Sequence, residues 1–335
     1  MTNALITGIT GMVGSHLVDF LLDNTDWDIY GFLRWNDDLS NIQHLMPRIN
    51  EKKRVHLLYG DLNDMASLMR TINKSAPSYV FHLAAQSYPK TSFDSPLETL
   101  ETNILGTAKI LDAIRMSVYN PVIHVCASSE VFGRVPKELL PIHEDVIFHP
   151  ASPYAISKVG TDLVGRFYGE AYNMTVMTTR MFTHTGPRRG DVFAESTFAK
   201  QIAMIESGQI PPVLKVGNLD SLRTWADVRD AVRAYYLLVT KNPIAGEYYN
   251  IGGTYTCSVK DMLHYLLSQS TVKNIKIEID PERLRPIDAD LQIPDTSKFT
   301  EHTGWEPVIS FEQTMNDLLN YWREQVKSGR NFLTR

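Results

Sequence analysis

Short apolar runs alternate with longer amphipathic segments through the first half of the chain. The runs of strand length, most of them apolar on both faces, occupy residues 4–7, 28–33, 54–60, 79–84, 122–128 and 176–182. Helical periodicity covers the intervening segments 12–22, 64–73, 98–118 and 153–172. Strands that alternate with helices imply right-handed crossovers and a sheet covered on both sides. The pattern therefore predicts an α/β fold built on a Rossmann-type, doubly wound parallel sheet.

After Phe182 the pattern changes, because Gly and Pro become frequent and the predicted elements become shorter. A helix is predicted at 231–239 and a terminal amphipathic helix at 311–326, with a loop-rich stretch at 281–305 before it. We predict a first domain made of residues 1–182 and about 224–252. The remaining residues, 183–223 and 253–335, are predicted to form a smaller C-terminal lobe.

Composition narrows the possible functions. The 335 residues carry a net charge of −5, which argues against nonspecific binding to nucleic acid or to an anionic membrane surface. No apolar run reaches the roughly 18 residues of a membrane span. The N-terminal residues read as a buried strand rather than a signal peptide, so we expect a cytoplasmic protein. The two cysteines, Cys126 and Cys257, lack a metal-ligand spacing, and no metal site is predicted.

A glycine-rich loop follows the first strand directly and leads into the first helix. In such a loop glycines let the backbone approach a pyrophosphate, and the helix N-terminus offers free N–H groups to its charge. The context of strand, loop and helix makes this pattern specific for a dinucleotide site. The loop residues predicted to bind the cofactor are Gly8, Thr10, Gly11, Met12, Val13 and Gly14.

The end of the second strand indicates which dinucleotide binds. An enzyme that uses NAD places an acidic residue there, about twenty residues after the loop, to hold the ribose 2′-hydroxyl. This chain has Arg34 instead, which suits the 2′-phosphate of NADP, although Asp37 and Asp38 could still serve NAD. We therefore predict NADP, with NAD as the alternative. Further cofactor contacts are expected after strands three and four, at Asp61, Leu62, Leu83, Ala84 and Ala85.

A tyrosine and a lysine four residues apart provide the candidate catalytic pair. Tyr154 and Lys158 share one face of the predicted helix 153–172, so the ammonium is expected to lower the pKa of the phenol toward neutrality. The fifth strand ends in Ser128, Ser129 and Glu130, where the nicotinamide of a bound cofactor would lie. This constellation predicts redox chemistry on a polar substrate.

Together these motifs resemble the extended short-chain dehydrogenase/reductase family over nearly the whole chain. The matching segments are TGITGMVG (7–14), GDL (60–62), HLAAQS (82–87), SSEVFG (128–133) and YAISK (154–158). The resemblance implies that Ser128 hydrogen-bonds the reacting sugar hydroxyl, that Tyr154 exchanges its proton, and that Lys158 holds the nicotinamide ribose. It also places His184 beside the cofactor.

Within that family, the motif around Glu130 looks like that of the GDP-mannose 4,6-dehydratases. The segments 197–202 and 217–238 look at least as much like the GDP-4-keto-6-deoxymannose reductases. Two departures from the dehydratase pattern stand out. Thr183 stands where the dehydratases have an asparagine. Glu195-Ser196-Thr197 stands where they have a basic pair, and this difference removes one expected diphosphate contact.

The resemblance to the dehydratases implies that Glu130 removes a proton from C5 of the sugar and assists the loss of water from C6. The product would be a deoxysugar, and the cofactor would be regenerated in each cycle. The alternative is a reductase that consumes NADPH, or another nucleotide-sugar epimerase or dehydratase. The C-terminal lobe is then the nucleotide-sugar-binding lobe, and the substrate is expected to be GDP-linked. The residues predicted to contact the substrate are Gln86, Ser87, Ser128, Ser129, Thr183, Arg189, Arg223 and Arg285.

Two further expectations complete this set. Arg188 is a second candidate, with Arg189, for binding a phosphate of either ligand. Family members commonly pair through the helices that correspond to 98–118 and 153–172, so the resemblance implies a homodimer or homotetramer.

Overall fold

The computed structural model describes residues 2–284 and 289–329. In its first part strands and helices alternate, and a π-helical turn (Glu101–Leu105) joins two of the helices. The elements are, in chain order, β1 (Asn3–Thr7), α1 (Met12–Asn24), β2 (Asp28–Leu33), α2 (Met46–Asn50), β3 (Val55–Tyr59), α3 (Met65–Ser75), β4 (Tyr79–His82), α4 (Pro89–Asp94), α5 (Pro96–Leu100), α6 (Gly106–Arg115), β5 (Val122–Cys126), α7 (Pro153–Ala171) and β6 (Val176–Met181).

The second part has shorter strands. Its elements are β7 (His184–Thr185), α8 (Ala194–Glu206), β8 (Val213–Val216), β9 (Leu222–Asp227), α9 (Val228–Thr240), β10 (Tyr248–Ile251), β11 (Tyr255–Ser258), α10 (Val259–Ser268), β12 (Lys276–Ile279), β13 (Leu291–Gln292), α11 (Ser297–Thr303) and α12 (Phe311–Lys327). Short 3-10 helices cover Ser40–Leu45, Ser129–Val131, Lys137–Leu139 and Pro281–Arg283.

Within the described residues, seven strands form one parallel sheet in the order β10-β6-β5-β4-β1-β2-β3. The order reverses between β1 and β4, so the carboxyl ends of these two strands flank a crevice in which α/β proteins bind ligands. The predicted Rossmann-type, doubly wound parallel sheet is confirmed. A smaller sheet contains β11, β9 and β13 in that order, and β7 also pairs with β9. A third sheet consists of β8 and β12.

Three large apolar clusters hold these layers together. Two of them pack against the parallel sheet, one on each side, with Ile6, Phe81 and Trp305 in the first and Leu5, Val80 and Ile110 in the second. The alternation of Leu5 and Ile6 along β1 is the period-2 pattern of a strand buried on both faces. The third cluster joins α8, α10 and α12 behind the smaller sheets. Among the described residues, no helix has the length and apolarity needed to cross a membrane.

Most of the predicted helices and strands are present within a few residues. One exception is the stretch 281–305, which was predicted to be loop-rich but contains α11 and the short strand β13. Helix α11 spans only seven residues and is anchored by Phe299, which is fully buried against Trp305. Tertiary packing rather than local periodicity stabilises a helix this short, which explains why the sequence pattern missed it.

Candidate active site

The glycine loop lies between the carboxyl end of β1 and the N-terminus of α1. Gly8 has a φ of +74°, and a Cβ atom there would stand 3.0 Å from the backbone of Ala84 after β4. A Cβ on Gly14 would lie 2.3 Å from the carbonyl oxygen of Gly8. Helix α1 begins after Gly11, which provides no side-chain cap, whereas α3 and α7 are capped by Asp64 and Ser152. The loop therefore leaves helix N–H groups to an anionic ligand, as a dinucleotide cradle requires.

The Thr7 hydroxyl stabilises this cradle from behind. It accepts hydrogen bonds from the backbone N–H groups of Leu83 and Ala84, both at 3.1 Å, and lies 2.9 Å from Nδ1 of His82. The Nε2 atom of His82 is 3.0 Å from the Thr107 hydroxyl. Burial lowers the pKa of His82 to about 3, so the ring is neutral. The hydrogen bonds to Thr7 thus hold the backbone of Leu83 and Ala84, where cofactor contacts are expected, next to the glycine loop.

Gly14→Ala tests this cradle. We expect the variant to lose most of its dinucleotide affinity and some stability, because the new methyl group collides with the Gly8 carbonyl and must push the loop and helix apart. Titration of the protein with NADP⁺ by intrinsic fluorescence and a thermal melt measure the two effects. Gly190→Ala is the matched control, since its Cβ meets no atom closer than 3.9 Å. Unchanged affinity in Gly14→Ala would contradict the assignment.

The other residues predicted to bind the cofactor differ in their exposure and in their contacts within the protein. Arg34 follows β2 and is 64% exposed, with its Nε atom 2.9 Å from a carboxylate oxygen of Asp37. Asp61 lies after β3 and accepts the N–H of Asn63 at 2.8 Å, while Leu62 is buried in the core. Asn41, which the sequence analysis missed, donates to the carbonyl of Thr10 at 3.0 Å.

The fifth strand and α7 bring the candidate catalytic residues together. Tyr154 and Ser128 are each 8% exposed, and the Ser128 side chain lowers the pKa of the Tyr154 phenol. The Nζ atom of Lys158 donates to the carbonyl oxygen of Cys126 at 2.8 Å and lies 6.0 Å from the centre of the Tyr154 ring. Ser128 also accepts the backbone N–H of Glu130 at 3.2 Å. Tyr154 and Lys158 therefore form one site with the residues at the end of β5.

The expected lowering of the Tyr154 pKa is wrong for the protein alone. Burial raises the pKa of this phenol well above its usual value, and the charge of Glu130 raises it further. The Ser128 side chain and the charge of Arg189 lower it by less. Burial also lowers the pKa of Lys158, which reflects the same cost of charging a group in a site that excludes water.

Glu130 lies beside this centre. It is in the 3-10 turn after β5, and its carboxylate is 3.5 Å from Nη1 of Arg223 on β9. Its charge raises the pKa of Tyr154. Arg223 was predicted to contact the substrate diphosphate, but in the structure its recorded partner is Glu130.

The basic residues after β7 separate into two groups. Arg188 pairs with Asp19 of α1 at 2.7 Å. The guanidinium carbon of Arg189 lies 3.4 Å from the centre of the Phe193 ring, its Nε is 3.1 Å from the carboxylate of Glu195, and its charge lowers the pKa of Tyr154. Glu195, noted in the sequence only as a missing basic residue, is therefore the partner of Arg189.

The remaining predicted residues are less tightly connected to the centre. The side-chain amide of Gln86 hydrogen-bonds the backbone of Tyr88, and Ser87 is exposed. Ser129 is 4% exposed. Ala85 follows β4 and Thr183 follows β6, and both residues are half-buried. His184 contacts the carbonyl of Phe182 at 3.1 Å, and Arg285 lies outside the described residues.

Sequence reasoning missed Asn103, which connects the site to the π-helical turn. Its side chain donates to the carbonyl of Gln86 at 2.9 Å and to the hydroxyl of Ser157 at 2.8 Å, and it accepts the N–H of Gln86 at 2.8 Å. Ser157 in turn donates to the backbone carbonyl of Tyr154. Single π turns often occur at functional sites, but an isolated asparagine within a helical pattern gives no sequence signal of this role.

Comparison with known proteins identifies the family. The family model described as GDP-mannose 4,6 dehydratase matches residues 5–318. The chain belongs to this family. It is 33% identical to the GDP-mannose 4,6 dehydratase of Drosophila melanogaster over 340 residues, which cover 94% of this chain and 85% of that protein. The predicted membership in the extended short-chain dehydrogenase/reductase family is confirmed, and so is the resemblance to its GDP-mannose 4,6-dehydratases.

Members and neighbours of the GDP-mannose 4,6 dehydratase family include both expected activities. The GDP-6-deoxy-D-mannose reductase of Pseudomonas aeruginosa is 30% identical over 98% of this chain and 99% of its own length. A solved structure of RMD from Pseudomonas aeruginosa complexed with NADPH superposes with a TM-score of 0.81 at 28% identity, covering 97% of this chain and 100% of that one.

Proposed function

We propose that this protein is a nucleotide-sugar 4,6-dehydratase that converts GDP-mannose to GDP-4-keto-6-deoxymannose. The position of Glu130 carries the proposal, because a carboxylate next to the Ser128–Tyr154 pair is what elimination across C5 and C6 requires. A simple alcohol oxidation needs only the serine, tyrosine and lysine. Family membership and the relative in Drosophila melanogaster support the same reaction.

The cofactor proposed for this site is NADP, with NAD as the alternative. The residues fit a dinucleotide, since a side chain on Gly14 would fill the cradle and the N-terminus of α1 has no capping side chain. Arg34 would bind the 2′-phosphate, in competition with Asp37, and Lys158 would hold the nicotinamide ribose. Arg189 and His184 are proposed to lie beside the bound dinucleotide. When bound, the nicotinamide supplies a reversible hydride acceptor.

The chain's own residues would then move the protons. Tyr154, with Ser128, takes the proton of the sugar 4-hydroxyl as C4 is oxidised to a ketone, which makes the hydrogen on C5 acidic. Glu130 takes that C5 proton and gives a proton to the C6 hydroxyl, which leaves as water. The hydride lost from C4 would end on C6, and the proton that Tyr154 took from the 4-hydroxyl would pass to C5, so the net change is loss of one water without net redox change.

Glu130→Gln tests the proposal. We expect the variant to carry out the first hydride transfer, seen as reduced-cofactor absorbance on mixing with GDP-mannose, but to form no 4-keto-6-deoxy product, because an amide cannot accept the C5 proton. Glu138→Gln, an exposed carboxylate a few residues further along, is the matched control. Full product formation by Glu130→Gln would refute the role of this carboxylate.

The second candidate function is NADPH-dependent reduction of a 4-keto sugar nucleotide. It is favoured by the near full-length match to the reductase of Pseudomonas aeruginosa and by Glu195, which stands where the dehydratase pattern has a basic residue. Incubation of the wild-type protein with GDP-mannose and no reductant separates the two. A keto product without net cofactor change supports the dehydratase, whereas NADPH oxidation with the keto sugar alone supports the reductase.

We also propose a homodimer or homotetramer that forms through the helices of 98–118 and 153–172. Both carry large exposed apolar side chains, a composition typical of an interface. They are Leu105 and Met116 on the first segment and Ile156, Leu163 and Phe167 on the second. The division into a dinucleotide-binding domain (1–182 and about 224–252) and a nucleotide-sugar-binding lobe remains part of this proposal, as does the cytoplasmic location.

A further inference from the structure

Segment 187–189 links the C-terminal lobe to helix α1 of the first domain. On one side, the carbonyl oxygen of Arg189 accepts a hydrogen bond of 2.8 Å from the Ser196 hydroxyl of α8. On the other side, the carbonyl oxygen of Pro187 accepts a hydrogen bond of 3.0 Å from Nε2 of His16 of α1. Burial lowers the pKa of His16 to about 4, so its ring is neutral at physiological pH. The segment therefore bridges the two parts of the chain.

An ion pair fastens this bridge to α1. Nη1 of Arg188 lies 2.7 Å from Oδ2 of Asp19, and the two side chains are 20% and 29% exposed. The other carboxylate oxygen of Asp19 lies 2.7 Å from Nε2 of His44, in the 3-10 turn after β2. Charge-assisted hydrogen bonds of this length are stronger than those between neutral groups. Asp19 therefore connects the bridge with both α1 and the 3-10 turn.

The backbone of Arg188 is held in a conformation that it does not prefer. Its φ is +67°, in the left-handed region that a residue with a Cβ atom rarely adopts. Such a conformation persists only where the surrounding contacts determine it, and it occurs often at ligand clamps and switch segments. The contacts here are the ion pair with Asp19 and the side-chain amide of Asn41, which lies 3.4 Å from the Arg188 carbonyl oxygen.

The bridge lies between the two ends of the proposed cofactor site. The same Asn41 amide donates to the carbonyl oxygen of Thr10 at 3.0 Å, so the bridge is next to the glycine loop, where the pyrophosphate is proposed to bind. At the other end, the charge of Arg189 lowers the pKa of Tyr154, beside which the nicotinamide is proposed to bind. A dinucleotide that reaches from the glycine loop to Tyr154 therefore runs alongside segment 187–189.

We propose that Arg188 and Asp19 form a latch that holds segment 187–189 over the bound dinucleotide and sets the rate at which the cofactor enters and leaves. The proposal rests on the proposed dinucleotide site and holds for either candidate reaction. It differs from the sequence-based expectation that Arg188 binds a phosphate, because the arginine then acts through the protein and not on the ligand. In a dehydratase, which regenerates its cofactor in each cycle, slow exit of the dinucleotide does not limit turnover.

The test measures cofactor exchange rather than turnover. Protein loaded with NADPH is mixed with excess NADP⁺, and the loss of bound-NADPH fluorescence gives the dissociation rate. An equilibrium titration with NADPH gives the dissociation constant. In Arg188→Ala we expect the dissociation rate to rise about tenfold and the dissociation constant less than about threefold, because opening of the latch no longer breaks a charge-assisted hydrogen bond while the contacts to the cofactor remain.

A second substitution and a control distinguish the latch from general damage to the fold. Asp19→Asn should raise the dissociation rate as Arg188→Ala does. The double variant should be no faster than the single ones, because the two side chains act as one pair. Arg323→Ala, which removes a pair with Glu206 in the C-terminal lobe, should leave both constants unchanged. Thermal melts establish that each variant is folded at the assay temperature.

Other results would overturn the proposal. A wild-type dissociation rate in Arg188→Ala would mean that the pair does not retain the cofactor. A rise in the dissociation constant as large as the rise in the dissociation rate would make Arg188 a direct ligand of the cofactor. Additive effects of Asp19→Asn and Arg188→Ala would mean that the two side chains act separately. If wild type bound no NADPH, the dinucleotide site itself would fail, a result distinct from unchanged exchange.

Discussion

Tyr154→Phe is expected to abolish turnover, with kcat reduced by a factor of about 10²–10⁴ or more, the range that proton transfer by a positioned side chain contributes. The phenol is the group next to both Ser128 and the carbonyl-anchored Lys158, and it is 8% exposed, so water cannot easily replace it. Unlike Glu130→Gln, this variant should also lose the first hydride transfer. Stopped-flow measurement of cofactor reduction and a product assay with GDP-mannose provide the two readouts.

The control for this variant is Tyr172→Phe, which removes a hydroxyl from a half-exposed tyrosine at the end of the same helix. It should retain activity. Cofactor affinity should also be nearly unchanged in Tyr154→Phe, which shows that the site still forms. Cofactor reduction at the wild-type rate in Tyr154→Phe would remove the tyrosine from the mechanism.

Asp162→Asn is expected to destabilise the protein by about 3–5 kcal/mol, because removal of one partner leaves a buried charge uncompensated. Asp162 of α7 and Arg180 of β6 are both 0% exposed and bond through two contacts, of 2.8 and 3.0 Å. Arg180 also donates to the carbonyl of Glu144 at 2.6 Å and stacks on Tyr248. The pair thus anchors α7, the helix that carries Tyr154 and Lys158, to the parallel sheet.

Chemical denaturation measures this loss as a change in the free energy of unfolding. The double variant Asp162→Leu/Arg180→Met should be more stable than Asp162→Asn, since it removes both charges together. Glu278→Gln, which alters an exposed pair with Lys276, is the control and should change stability little. A stability equal to that of wild type in Asp162→Asn would show that the arginine finds another partner.

The differences between expectation and structure share one origin. In the sequence, Glu195 was interpreted only as the loss of a basic residue. In the structure it lies on the helix that follows Arg189 and pairs with that arginine. Arg223 read as a phosphate ligand, yet it reaches Glu130 from another sheet. Asn103 carried no signal at all. In each case the deciding contact joins residues on different elements, and the spacing along a chain does not encode which elements meet.

The Tyr154 pKa illustrates the same limit in energetic terms. The four-residue spacing predicts that Lys158 lies nearby, and it does, with its ammonium 6.0 Å from the ring centre. Burial of the phenol outweighs that proximity, and burial depends on every element that packs over the site.

By itself the sequence determined the parallel sheet, the glycine loop, membership of the family, and the serine, tyrosine and lysine of the candidate active site. These follow from local periodicity, from backbone conformations that only glycine allows, and from motifs of adjacent residues. Only the tertiary structure decided that Arg189 meets Glu195, that Asn103 supports the tyrosine helix, and that Arg223 faces Glu130. The last of these contacts arises when the two sheets pack together, because folding brings side chains 93 positions apart within 3.5 Å.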